Sequence, residues 1–101
     1  MGRLKYDGTS DPILVDDVTL AHLKIVIGTK LRRQESFMMS WVPREGGENR
    51  RMSAWIHPAI PLQFGFDAEE PPAIDAHRIA DIMHHVNASG ELSLEHISPP
   101  A

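Results

Sequence analysis

Two runs of alternating side chains, Ser36 to Val42 and Arg50 to His57, flank the polar stretch Arg44-Glu45-Gly46-Gly47-Glu48-Asn49. Nothing else in the chain constrains the fold as much. Period-two alternation specifies strands, and a polar loop with two glycines between them specifies an antiparallel return. With Phe37 opposite Ile56, Met39 opposite Ala54 and Trp41 opposite Met52, one face of the pair is apolar and belongs on a core. The other face then carries Met38, Ser40, Val42, Ser53, Trp55 and His57, which is more apolar than a wholly solvated surface needs. This second face is the candidate interaction surface, with Met38, Val42 and Trp55 as its protein-contact residues.

The elements on either side supply the cover. Asp16-Asp17 caps a helix running to about Arg33, with acids at its positive end and Lys30, Arg32 and Arg33 at its negative end. Leu20, Leu23, Ile27 and Leu31 form its core stripe, which places His22, Thr29 and Arg33 on the far side. Ile25 and Val26 flank the stripe, so more than one face is open to burial. Gly28, beside the stripe, is a place for another backbone to approach. Before this helix, Arg3 to Tyr6 and Ile13 to Val15 read as two strands around a turn at residues 7–11, because Asp7-Gly8 is a hairpin signal.

After the central pair, Pro58 and Pro61 break the chain, and Leu62-Gln63-Phe64-Gly65-Phe66 alternates as a strand with Leu62, Phe64 and Phe66 inward. A second helix follows an acidic loop. Asp75 is its N-cap, Ile74 is placed to staple onto Ile79, and Ile79, Ile82, Met83 and Val86 form its buried stripe. Gly90 suits its C-terminal cap, and Leu92 and Leu94 mark a last strand. The chain therefore reads as an α+β fold, mainly antiparallel, in the order ββαβββαβ. A length of 101 residues matches a single domain, here residues 1–98, with residues 99–101 as a frayed tail.

Several chemistries are weighed by the residues they require. The chain has no cysteine, which excludes disulfides, thiolate catalysis and cysteine zinc sites. Lys5-Tyr6-Asp7-Gly8 has the form of the lysine-centred signature of ATP-dependent DNA ligases, in which the lysine is adenylated. That signature carries a glutamate two residues before the lysine and an arginine five after it, where this chain has Arg3 and Ser10. Lys5 is read as a strand residue beside a turn. His77, Asp81 and His84 share a helix face at a spacing that metal ligation accepts, but that face is also where an amphipathic helix is polar, so no metal is assigned. His57 beside Trp55 lacks the partners of a catalytic triad. No catalytic residue and no cofactor is assigned.

Residues 1–60 carry nine Lys/Arg against seven Asp/Glu, and residues 61–101 carry one against seven. Such polarity permits contact between chains. Within the basic part, Arg32, Arg33, Arg50 and Arg51 are the residues an accessory nucleic-acid-binding role would use. Against it, Trp41 and Trp55 alternate to opposite faces, and the formal net charge is −4. The longest apolar run, Ile25-Val26-Ile27, is far short of a membrane span, and the expected location is the cytoplasm.

Three stretches carry a resemblance: Leu20 to Ile27, Lys30 to Phe37, and Trp55-Ile56-His57-Pro58-Ala59-Ile60-Pro61-Leu62. Together they resemble an uncharacterised family of actinobacterial proteins of about this length, often labelled ATP-dependent DNA ligase. The resemblance implies no activity, cofactor or catalytic residue. The expectation is a small noncatalytic domain acting by protein contact, as a homo-oligomer formed through the apolar sheet face or the first helix.

Overall fold

The computed structural model describes residues 1–7, 12–42 and 51–94. In chain order its elements are β1 (Gly2–Tyr6), β2 (Ile13–Val15), α1 (Asp17–Arg32), β3 (Phe37–Trp41), β4 (Met52–Ile56), β5 (Leu62–Gly65), α2 (Ala76–Ser89) and β6 (Glu91–Ser93). This is the expected α+β order. The strands form two three-stranded sheets, arranged β2-β1-β5 and β4-β3-β6. Every pairing is antiparallel except that of β3 with β6.

β1 and β2 pair with Gly2 opposite Val15 and Leu4 opposite Ile13, and Asp7 opens the turn at φ 65°. The rest of that expected turn, residues 8–11, lies outside the described residues, as do the loop at 43–50 and the tail. β3 and β4 pair in the register that their alternation implies, with Phe37 opposite Ile56, Met39 opposite Ala54 and Trp41 opposite Met52. Phe37, Met39 and Ile56 are buried accordingly. They join Leu4, Ile13 and Val15 of the first sheet, Leu20, Leu23, Val26 and Ile27 of α1, Ile82 and Val86 of α2, and Leu92 of β6 in one core. Leu62, Phe64 and Phe66 pack against it from the β5 side.

Helix ends follow their capping chemistry. The Asp16 carboxylate accepts from the Thr19 amide at 3.0 Å, and that of Asp75 from the His77 amide at 2.9 Å. Gly90 closes α2 at φ 74°. Ile74 stays largely in solvent, while Ile79 packs against the core. At the end of α1 the Gln34 amide donates to Leu31 O and the Glu35 amide to Lys30 O, each at 3.0 Å, with Gln34 at φ 59°. These are the two bonds of a Schellman motif, closed here by a residue with a side chain.

α1 is buried over most of its circumference, and two of the residue assignments require correction. His22, expected on the far side of the helix, is 1% exposed, because α2 packs there. Its Nε2 accepts from the Asp75 amide at 2.9 Å, so the ring proton sits on Nδ1 and is donated to Val18 O at 2.6 Å. Gly28 meets no close backbone: a Cβ built there has nothing within 4 Å. The close approach is at Gly2 instead, where a Cβ would lie 2.4 Å from Leu20 Cδ2 and 3.0 Å from Gly65 O.

Two further bridges fix α2. Arg78 donates to Thr19 Oγ1 at 2.8 Å, and the buried Lys30 ammonium donates to Asn87 Oδ1 and lies 3.4 Å from a Glu35 carboxylate oxygen. Since His22 meets the start of α2 and Lys30 its last turn, the two helices run in the same direction. No helix among the described residues is long and apolar enough to cross a membrane.

Gln34→Gly is expected to raise the unfolding free energy by about 0.5–1 kcal/mol, because glycine carries no Cβ penalty in the left-handed conformation but loses more chain entropy. Urea denaturation measures it. A lower stability would mean that the Gln34 side chain makes contacts outweighing its backbone strain.

Candidate functional site

The outer face of the second sheet is built by register. Met38 lies opposite Trp55 on one side and Glu91 on the other, and Ser40 lies between Ser53 and Ser93. Two rows therefore cross the sheet, Trp55-Met38-Glu91 and Ser53-Ser40-Ser93, with Val42 one residue past the end of β3. The Met38 amide donates to Gly90 O at 3.2 Å, toward the β6 side. Met38 and Trp55 are thus a non-hydrogen-bonded pair, the kind in which cross-strand side chains stand closest. Trp55 is 53% exposed and Val42 is 39% exposed, with Met38 half-buried between the strands.

Ser40 ties the polar row internally. Ser40, although buried, meets Ser53 Oγ at 3.0 Å and donates to a Glu91 carboxylate oxygen. Glu91 therefore projects onto the same face as Trp55. Sequence reasoning placed neither Glu91 nor Ser93 here, because parallel pairing of β6 with β3 leaves no hairpin signal.

β4 is an edge strand, and its edge is covered where Trp55 stands. By the same alternation the backbone of Trp55 points away from β3, and the Tyr6 hydroxyl of the first sheet donates to Trp55 O. Burial, with the neighbouring Asp7 carboxylate contributing, pushes the Tyr6 phenol above its ordinary pKa. A raised phenol pKa means that the folded state holds the proton more tightly. Its contribution to stability is complete below the unfolded pKa and is lost as pH rises through the folded one.

The residues of the other sequence expectations are dispersed. Lys5 stands in the central strand of the first sheet opposite Gln63, on the face away from the buried Leu4. His77, Asp81 and His84 are exposed along α2, and no group of three or more His, Cys, Asp or Glu among the described residues is arranged to hold a metal. Arg32 and Arg33 are exposed at the end of α1 and Arg51 is exposed before β4, while Arg50 lies outside the described residues. Lys30 is withdrawn from this basic group by its bridge to α2. Trp41 turns to the inner face and packs against the core, leaving Trp55 as the aromatic group of the outer face. His57 Nδ1 accepts from the Ala59 amide at 3.0 Å, which orders the turn after β4.

At the surface near β5, Asp67 accepts from the Met1 ammonium at 2.7 Å and from Arg3 at 3.0 Å. The bonded ammonium, and then Arg3, hold the Asp67 carboxyl below the usual range. This cluster ties β1 to the loop after β5 and lies apart from the outer face in sequence and register.

A two-sheet α+β domain with one half-exposed tryptophan on a sheet face is the class that these features define. The chain belongs to the family described as Domain of unknown function (DUF7882), whose sequence profile matches residues 1–96. This bears out the resemblance to an uncharacterised family of about this length. No curated protein and no solved structure matches the chain significantly.

Tyr6→Phe is expected to cost about 0.5–1.5 kcal/mol at neutral pH, the usual net worth of one hydrogen bond. It should also remove part of the loss of stability at alkaline pH. Denaturation midpoints of both proteins, measured from neutral pH to above the phenol range, check this; identical alkaline limbs would show that Tyr6 makes no pH-linked contribution.

Proposed function

We propose that this domain is a small noncatalytic module of the cytoplasm that acts by protein contact, associating with a second copy through the outer face of β3 and β4. The observation that carries this reading is the close cross-strand pair of Met38 with the half-exposed Trp55. Tryptophan is among the residues enriched at the hot spots that dominate association energy. Burying the exposed part of one such ring contributes on the order of 2–3 kcal/mol.

The arrangement of polar groups agrees with burial of this face. Ser40 bonds both Ser53 and Glu91 within the sheet, so covering the two hydroxyls costs less than covering unpaired ones. The edge of β4 is a poorer route to association, because Tyr6 already occupies the Trp55 carbonyl. A face, rather than an edge, is what the fold leaves available.

Trp55→Ala is expected to weaken self-association by about 30-fold or more, the effect of losing about 2 kcal/mol at a hot spot. Sedimentation equilibrium of both proteins at tens of micromolar measures this, with circular dichroism confirming that the exposed substitution leaves the fold intact. A monomeric wild-type protein whose mass is unchanged by Trp55→Ala overturns the proposal.

A further inference from the structure

The start of α2 is held to α1 by hydrogen bonds, and only the later turns of that helix are held by burial. Ala76 and His77 are exposed, Arg78 and Ile79 are half-buried, and the fully buried side chains of α2 begin at Ile82. Two bonds to α1 tie this end: the Asp75 amide donates to His22 Nε2 at 2.9 Å, and Arg78 to Thr19 Oγ1 at 2.8 Å. Residues 66–75, which lead into the helix, form neither helix nor strand. The bond at His22 depends on protonation. Since Nδ1 already donates to Val18 O, a second ring proton goes to Nε2 and faces the Asp75 N–H, donor against donor, in a side chain that is 1% exposed.

The charged groups around this junction have other engagements. The Asp16 carboxylate caps α1 on the Thr19 amide, Asp17 accepts from the Asp67 and Ala68 amides, and the Asp75 carboxylate caps α2 on the His77 amide. Glu69 and Glu70 are exposed, and β1 carries Arg3 and Lys5 on its face away from the buried Leu4. Arg78, held on Thr19 one turn before His22, would share the junction with a like charge. For the Asp75 carboxylate to receive the new proton, its residue must turn the amide away from the ring, which moves the start of α2 in any case. We infer that His22 is an acid-sensitive latch: the neutral ring holds the start of α2 against α1, and protonation lets residues 75–79 open while Ile82, Val86 and the Lys30–Asn87 bond keep the rest of the helix in place. Docking needs the neutral ring, so the open state binds the extra proton. Docking therefore weakens as pH falls below the range in which free imidazole titrates. The latch is independent of the self-association proposed above.

Amide hydrogen exchange followed by NMR measures the opening, each rate being corrected for the intrinsic rate at the same pH. Between about pH 7.5 and about pH 5.5, above the carboxylate range, one proton taken up at the free imidazole value of about 6.5 gives a loss of protection of about tenfold at Ile79 and Ala80. Met39 in β3 is expected to keep its protection. His22→Gln is expected to abolish the loss, and a triple variant with His77→Gln, His84→Gln and His85→Gln, all at exposed positions of α2, to retain it. Protection at Ile79 and Ala80 that does not change with pH overturns the latch. So does a loss that persists in His22→Gln or vanishes in the triple variant, because the surface histidines of α2 would then be its cause. An equal loss at Met39 shows unfolding of the whole domain and overturns the local opening. Should His22→Gln not fold, the wild-type protein and the triple variant decide between these outcomes.

Discussion

The buried imidazole of His22 is where the two halves of the fold meet. It sits on the helix that both sheets and α2 share as a core wall, and it uses both ring nitrogens, donating to Val18 within α1 and accepting from the Asp75 amide at the start of α2. An amide at a helix start has no partner within its own helix, and here it satisfies Nε2 of the buried ring, an acceptor that left unpaired would cost about 1–3 kcal/mol. Asp75 then uses its side chain to cap α2, so one residue receives α1 and starts the next helix. Lys30 repeats the device at the far end by donating to Asn87. Between these two bridges, Ile82 and Val86 are held against the core, and β6 follows directly into its place beside β3.

This dependence accounts for the state of the outer sheet face. The inner residues of the second sheet share one core with α1 and α2, and among the described residues the first sheet meets the β4 edge through Tyr6. Trp55, Met38 and Val42 are left on a surface where Ser40 bonds both Ser53 and Glu91. A surface with its serine pair bonded internally and an indole half in water gains when its apolar part is covered. The functional reading rests on this balance.

Local chemistry was legible in the sequence wherever a residue acts on its near neighbours. Alternation around the Gly46-Gly47 loop specified the β3–β4 register to the residue, and Asp16, Asp75 and Gly90 marked helix ends through chemistry that depends on the nearest turn. The candidate site was legible on its β3 and β4 sides for the same reason. Longer-range consequences were not. His22 looked like a solvent residue because periodicity identifies one core stripe, whereas α1 is covered by a second helix that only the tertiary fold supplies. Glu91 joined the site through a parallel pairing that no turn announces, and Gln34 adopts a helix-ending conformation for which the sequence lacks the usual glycine.

Histidine-detected nitrogen NMR on uniformly labelled protein at pH 8, where free imidazole is neutral, tests the central bridge most directly. The account predicts that His22 is a neutral ring with its proton on Nδ1 and with Nε2 as an unprotonated acceptor, in slow exchange with solvent. A proton on Nε2, or rapid averaging between the two tautomers as in a solvated side chain, would contradict it, because neither leaves an acceptor for the Asp75 amide.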